Sequence, residues 1–298
     1  MKVITLIEDT GNDDNLVNEF GLALFIESNG IKILLDTGRS DSFIKNSKVL
    51  GIDLNDINLV ILSHAHFDHC GGLQDMLQTN STAAVYMHED APNEYYGNIG
   101  AKLPLVLNYF IYPFVKNSIF FSKYIGLNQD VIKQYGNRIK LISKTEEISK
   151  NIFLITNISK TYPLSEGNKF LLSQKDGKLV PDDFSHELIL VIKESDGIVI
   201  FSGCCHSGIL NMLETVRNLF KDQVIKAVIG GFHLKFQPEK DNMAGTKNDI
   251  EFIANEFVKQ KIGKIYTGHC TGSRAYSILS TLLKERIGPL LTGDTIHI

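Results

Sequence analysis

Residues 59–73 read Leu-Val-Ile-Leu-Ser-His-Ala-His-Phe-Asp-His-Cys-Gly-Gly-Leu. An apolar strand runs straight into His64, His66, Asp68 and His69, and Gly71-Gly72 then let the chain turn. In extended chain, residues two apart point the same way, so His64 and His66 offer their imidazoles to one side. Asp68 and His69 face the same space from the tighter turn that follows. Neutral imidazole and carboxylate suit Zn²⁺, and Fe, Mn and Co also accept such donors. Three histidines and an aspartate in six residues are more than one tetrahedral site takes, which points to two ions. An HxHxDH arrangement arises by chance in roughly one such sequence in two thousand, so the metal reading outweighs that of a histidine-rich surface turn.

The other histidines gather in similar places. His206 stands in FSGCCHSGI, His269 in IYTGHCTGS and His233 in VIGGFHL, each after an apolar strand and near glycine. Ligands and catalytic groups collect in such strand-end loops of α/β proteins. A single histidine there would be an ordinary polar residue. Beside the 64–69 motif, His206 and His269 read as metal ligands and His233 as a site residue. Asp36, ending the strand in ILLDTG, reads either as a carboxylate that orients a ligand histidine or as a turn residue before Gly38. All four cysteines adjoin these segments, at 70, 204, 205 and 270. Each suits packing as a small buried group, and for Cys204 ligation as thiolate weighs equally.

Further out, short apolar runs read as strands at 3–7, 22–26, 31–35, 59–62, 84–87, 152–155, 188–192, 198–201, 227–229 and 264–266. Ser28-Asn29-Gly30 and Ser195-Asp196-Gly197 look like hairpin turns. Helices are expected at about 42–50, 208–221, 247–260 and 273–285. Strands dominate the first part and strand–helix alternation the last, which predicts an α/β sandwich. Residues 95–124 hold nine of the 27 aromatic rings, including Tyr109, Phe110, Tyr112 and Phe114. They read as a lid, a substrate wall, an oligomer contact or a core-filling insertion. No internal repeat is visible.

Composition bounds the rest. With 43% hydrophobic and 21% charged residues over 298 positions, the chain has ample material for one large domain. A net charge of −4 supplies no basic footprint for nucleic acid or anionic lipid. No eighteen-residue apolar run exists and the start turns acidic at Glu8-Asp9, so no membrane span or secretory signal is expected and the chain reads as cytoplasmic. Four cysteines without a CxxC spacing make no disulfide scaffold.

Taken together, LDTG at Asp36, HAHFDHCGG at 64–72, FSGCCH ending at His206 and GHCTG at His269 resemble the metallo-β-lactamase superfamily. GCCHSGI, GGFHL and GHCTG are similar to the branch containing the archaeal dihydropterin-type synthase and many bacterial metal-dependent hydrolases. The resemblance implies an αββα four-layer sandwich spanning residues 1–298, with the aromatic-rich stretch at about 90–150 as an insertion. It implies a dinuclear site at one edge of two sheets, with His64, His66 and His206 on the first ion and Asp68, His69 and His269 on the second. Three positions depart from the pattern. Cys204 stands where most members place an aspartate bridging both metals. His186, in DFSHELILVI, competes with His206 as third ligand of the first ion. Phe20 stands where the branch often has histidine.

The expected activity is hydrolysis by water whose pKa the cation lowers toward ~7. In that reading Asp68 holds or deprotonates the water, and His233 binds an oxyanion or protonates the leaving group. Two alternatives stand beside it: C–N bond formation on a dihydropterin, and a non-catalytic metal or redox sensor built on the cysteines. The expected partners are a small-molecule substrate and a second copy through residues 95–124, with no nucleic acid and no membrane.

Overall fold

The computed structural model describes residues 1–98, 118–237 and 240–298. Tyr109, Phe110, Tyr112 and Phe114 therefore lie outside the described residues.

The expected strands form two seven-stranded sheets. The first sheet, edge to edge, is Thr295–His297, Lys2–Ile7, Ala23–Ser28, Ile31–Leu35, Leu59–Ile61, Ala84–His88 and Ile139–Ile142. The second is Glu146–Ser149, Ile152–Ile155, Ile189–Glu194, Gly197–Phe201, Ile225–Ile229, Lys264–Thr267 and Ile287–Pro289. Both follow one pattern: the first four strands pair antiparallel and the remainder add on in parallel. The repetition is one of pairing, not of residue identity, which is why no repeat shows in the sequence. Asn29 and Gly30 take positive φ (53° and 77°), the two-residue turn that suits a hairpin's twist.

These strands are apolar on both faces because each sheet is covered twice. Between the sheets, Val3, Leu24, Ile26, Ile33 and Leu35 meet Leu154, Leu190, Ile192, Val199 and Phe201. The alternate residues of the first sheet, among them Ile4, Phe25, Leu34 and Val60, pack on Phe43, Leu73, Met76 and Val131 of helices Ser42–Val49, Leu73–Thr79 and Gln129–Tyr135. On the second sheet, Ile189, Val191, Ile198 and Ile200 pack under helices Ile209–Leu219, Lys247–Lys259 and Ser273–Leu283. Three apolar layers thus separate four structural layers, the expected αββα sandwich. Each buried Val, Leu or Ile contributes about 1.5–3 kcal/mol.

A small sheet of Lys178–Pro181, Leu171–Lys175, Tyr95–Asn98 and Ser122–Tyr124 stands apart. Of the stretch expected as an insertion, Ile139–Ile142 and Glu146–Ser149 are edge strands of the two large sheets. Within the aromatic segment, Tyr95 is buried while Phe120 is 91% exposed. Among the described residues, no helix is long and apolar enough to cross a membrane.

Candidate metal centre

Neighbouring central strands of the two sheets end at Leu35, Ile61, Phe201, Ile229 and Thr267, and the loops that follow carry Asp36, Ser63-His64, Cys204, Gly230 and Gly268-His269. Asp36, Cys205, His233 and His269 all take positive φ (60°, 57°, 47° and 49°), a costly conformation for such residues that marks functional loops.

His66 stands just before the short helix Phe67–Cys70, which carries Asp68 and His69. The sequence reading gave Gly71-Gly72 the task of turning the chain, yet their φ values, −63° and −84°, are open to any residue. What demands glycine is contact. A Cβ on Gly71 would lie 2.3 Å from the Arg39 carbonyl oxygen, and one on Gly72 would lie 2.5 Å from that of Thr37. The bare backbone lets the helix dock on the 36–40 turn, and this brings the Asp36 carboxylate to His69.

The Asp36 side chain is fully buried and accepts three hydrogen bonds of 2.7 Å, from Ser63 N–H, Ser63 Oγ–H and His69 Nδ1–H. Having given its proton to Asp36, the Ser63 hydroxyl accepts from His64 Nδ1–H at 2.9 Å. His269 Nδ1 donates to Asp9 Oδ1 at 2.7 Å. His206 Nδ1 donates to Asn168 Oδ1 at 3.0 Å, while the Asn168 amide donates to the His206 carbonyl at 2.8 Å. In four histidines, then, an acceptor holds the Nδ1 proton and leaves Nε2 as the atom offered to the cluster. That arrangement is typical of histidines bound to metals.

Two of the freed nitrogens, joined by that of His66, meet no partner. Nε2 of His64, His66 and His206 is buried with no hydrogen bond. The rings of these three residues lie 4.7–5.0 Å apart, centroid to centroid. Donor atoms of His64, Cys204 and His206 lie within 4.8 Å of one another, as do those of Asp68, His69, Cys204 and His269. His69 Nε2 is 3.1 Å from Cys204 Sγ and 3.2 Å from His269 Nε2, and His269 Nε2 is 3.3 Å from Asp68 Oδ2. Cys204 belongs to both sets, at the position where the resemblance implies a bridging aspartate. His66 reaches a different set, with Asp182 and His186, its Nε2 standing 4.0 Å from Asp182 Oδ2. His186 has both nitrogens engaged: Nδ1 accepts from Ala65 N–H and Nε2 donates to Asp182, each at 3.1 Å. Its ring also packs 4.0 Å from that of Tyr95.

Burial and crowding among imidazoles hold His64 and His206 well below the usual histidine range and bring His66 down to about 3. Burial alone would raise Asp68, but His69 and His269 outweigh it and keep the carboxylate ionised. Burial alone would lower His269, and Asp9 and Asp68 outweigh that, so this histidine holds a second proton when no cation is bound. The donor set therefore fits one or two divalent cations: it is buried, and three of its imidazole nitrogens are left without a partner.

Several supporting residues escaped the sequence reading. Glu187 accepts from His206 N–H at 2.7 Å and Ser207 N–H at 2.8 Å. Glu8 accepts from His269 N–H, and Asp9 orients the ring of that residue. Partners 260 residues apart leave no local spacing to read. Phe20, in place of the branch's histidine, lays its ring 4.7 Å from that of His269.

The chain has the metallo-β-lactamase fold, and the sequence model of the metallo-β-lactamase superfamily matches residues 17–98. Over 306 aligned positions it is 29% identical to 7,8-dihydropterin-6-methyl-4-(β-D-ribofuranosyl)-aminobenzene-5′-phosphate synthase of Methanocaldococcus jannaschii, covering 99% of this chain and 96% of that protein. The crystal structure of Tm1679, described as a metal-dependent hydrolase of the β-lactamase superfamily, superimposes with a TM-score of 0.80 at 27% identity, covering 100% and 99% of the two chains. Zn²⁺-bound PqqB of Methylobacterium extorquens shares the fold over the full length of both chains at a TM-score of 0.60 and 11% identity.

Proposed function

We propose that the protein is a metal-dependent hydrolase of a small-molecule ester, lactone, thioester or phosphoester. The observation that carries this reading is the proton arrangement: Nδ1 of His64, His69, His206 and His269 is held by an acceptor, and Nε2 faces a buried cluster in which the nitrogens of His64 and His206 have no partner and those of His69 and His269 meet only one another, Cys204 and Asp68. His64, His66 and His206 would hold one cation and Asp68, His69 and His269 the second, with Zn²⁺ the best match to this donor chemistry. Such cations supply Lewis acidity, lowering the pKa of water toward ~7 and polarising a carbonyl or phosphoryl oxygen. Asp68, kept ionised by its histidine neighbours, accepts a hydrogen bond from the attacking water and orients it. His233 is assigned to the developing oxyanion or the leaving group; its ring lies 4.2 Å from that of His206 and neither nitrogen has a partner. His206 is favoured over His186 as a ligand because both nitrogens of His186 are already engaged. The exposed Phe120 ring supports self-association through residues 95–124.

The test is a hydrolase screen of metal-free, reloaded and His66→Ala protein. Turnover should appear on reloading and vanish in the variant. Equal turnover by the metal-free protein would refute the proposal. A 29% identity to a dihydropterin-type synthase, over an alignment that covers 99% of the chain, favours a second reading, C–N bond formation at the same site. Saturable binding of a dihydropterin, without hydrolysis in the screen, would select it.

A further inference from the structure

Two donors near the cluster, His233 and Cys270, belong to neither cation set, and they meet a third, Cys204, that belongs to both. Cys204 Sγ, a ring nitrogen of His233 and Cys270 Sγ lie within 4.8 Å of one another. We propose that these three side chains form an additional, soft cation site for a thiophilic divalent ion of the Zn²⁺ class, sharing the Cys204 sulfur with the histidine cluster.

Three features point to a ligand there. First, both His233 ring nitrogens are shielded from solvent and neither has a hydrogen-bond partner. Leaving such atoms unpaired costs about 1–3 kcal/mol each, a loss that coordination removes. Second, the surroundings are cleared for the donors. A Cβ on Gly231 would lie 2.4 Å from Cys270 Sγ, and one on Gly167 would lie 2.9 Å from His233 Nε2. The His233 backbone also takes a φ of 47° while its N–H donates to Cys270 Sγ at 3.3 Å, tying the two donor residues together. Third, the four free cysteines divide into two kinds. The Cys70 thiol goes to the Ala65 carbonyl at 3.4 Å and the Cys205 thiol to Ser202 Oγ at 3.0 Å, whereas the Cys270 thiol reaches the carbonyl of Cys204 itself, at 3.5 Å. Only Cys204 and Cys270 join His233 in one donor set among the described residues.

The donors select the ion. Two sulfurs and one imidazole prefer a softer cation than the imidazole–carboxylate sets beside them. Binding displaces the two thiol protons and involves no change of oxidation state. One imidazole nitrogen of His233 meets the ion, and the other N–H stays available as a donor, so the site is compatible with the role proposed for His233 above.

Co²⁺ is the probe. Reduced, metal-free full-length protein is titrated with Co²⁺ and passed through a desalting column, then assayed for bound metal and for thiolate-to-cobalt charge-transfer absorption. Wild type, Cys270→Ser, His233→Ala and His66→Ala are compared. Cys270→Ser and His233→Ala should each lose about one equivalent of cobalt and much of the charge-transfer intensity, while His66→Ala keeps both features of the soft site. If both Cys270→Ser and His233→Ala retained wild-type cobalt and wild-type charge-transfer intensity, the additional site would be refuted. Loss of bound cobalt confined to His66→Ala would likewise refute it while leaving the histidine cluster standing. The paired variants keep the outcome decisive should one of them fail to fold.

Discussion

Replacing Asp36 by Asn changes one buried atom and should disturb both cation sets. The Asp36 carboxylate takes the protons of Ser63 Oγ and His69 Nδ1 on the same oxygen, Oδ2, and that of Ser63 N on Oδ1. In Asp36→Asn the surviving oxygen stays with Ser63 N–H, which places an NH₂ group against two former donors. His69 then accepts at Nδ1 and moves its proton to Nε2, the atom facing Cys204 and His269. The Ser63 hydroxyl must turn to accept from the amide, so it donates to His64 Nδ1 and moves that proton to Nε2 as well. Loss of a partner behind a ligating histidine typically costs 10–100-fold in metal affinity. At ~1.4 kcal/mol per decade this is about 1.4–2.8 kcal/mol for each cation. Chelator-competition titration with Zn²⁺ should show both affinities weakened by about that factor, and Ser63→Ala should weaken chiefly the His64 set. Affinities for Asp36→Asn within about threefold of wild type would refute the relay of protons from Asp36 to the two rings, because one decade is the smallest effect expected of it.

Three other outcomes follow from the same geometry. Since Asp9 and Asp68 raise His269, loading the Asp68–His69–His269 set near neutral pH should release one proton from that residue, read as buffer-dependent heat in calorimetry, and affinity there should fall as pH falls. The metal-free protein should lose stability below about pH 6.5: His66 titrates near 3 when folded and near 6.5 when unfolded, so between those values the unfolded state binds more protons and stability rises with pH. Urea unfolding across pH 4–8 checks the sign, and a flat profile from pH 4 to 6.5 would oppose it. Glu187→Ala should strand the buried His206 and Ser207 amides at about 1–3 kcal/mol each, lowering the melting temperature and weakening the His206 set more than the His269 set.

The fold was legible because burial on both faces writes a central strand as a nearly unbroken apolar run, as in Gly197–Phe201, which is buried throughout. Helix Gln129–Tyr135 and the small sheet around Leu171–Lys175 were not anticipated. Buried positions are sparse in both, so no clear period marks them. At the site, residues presented by strand ends could be named because a histidine after an apolar run is a local signal. Asp9, Asn168 and Glu187 could not, since each acts on a residue brought near only by tertiary packing. Asp9 contacts His269 from the opposite end of the chain, and Asn168 reaches His206 from the turn before Leu171–Lys175. The glycine pair at 71 and 72 was noticed for its freedom of rotation, whereas its value lies in close approach to Thr37 and Arg39, which no single stretch of sequence displays.

Zinc K-edge X-ray absorption on desalted, zinc-loaded protein examines the centre directly. The expected spectrum has a first shell dominated by nitrogen and oxygen, with the outer-shell scattering of several imidazoles and a minor sulfur contribution from Cys204 and Cys270. Protein that leaves the column without zinc, or zinc surrounded by water oxygens alone, would contradict the convergence of His64, His66, His69, His206 and His269 on bound cations.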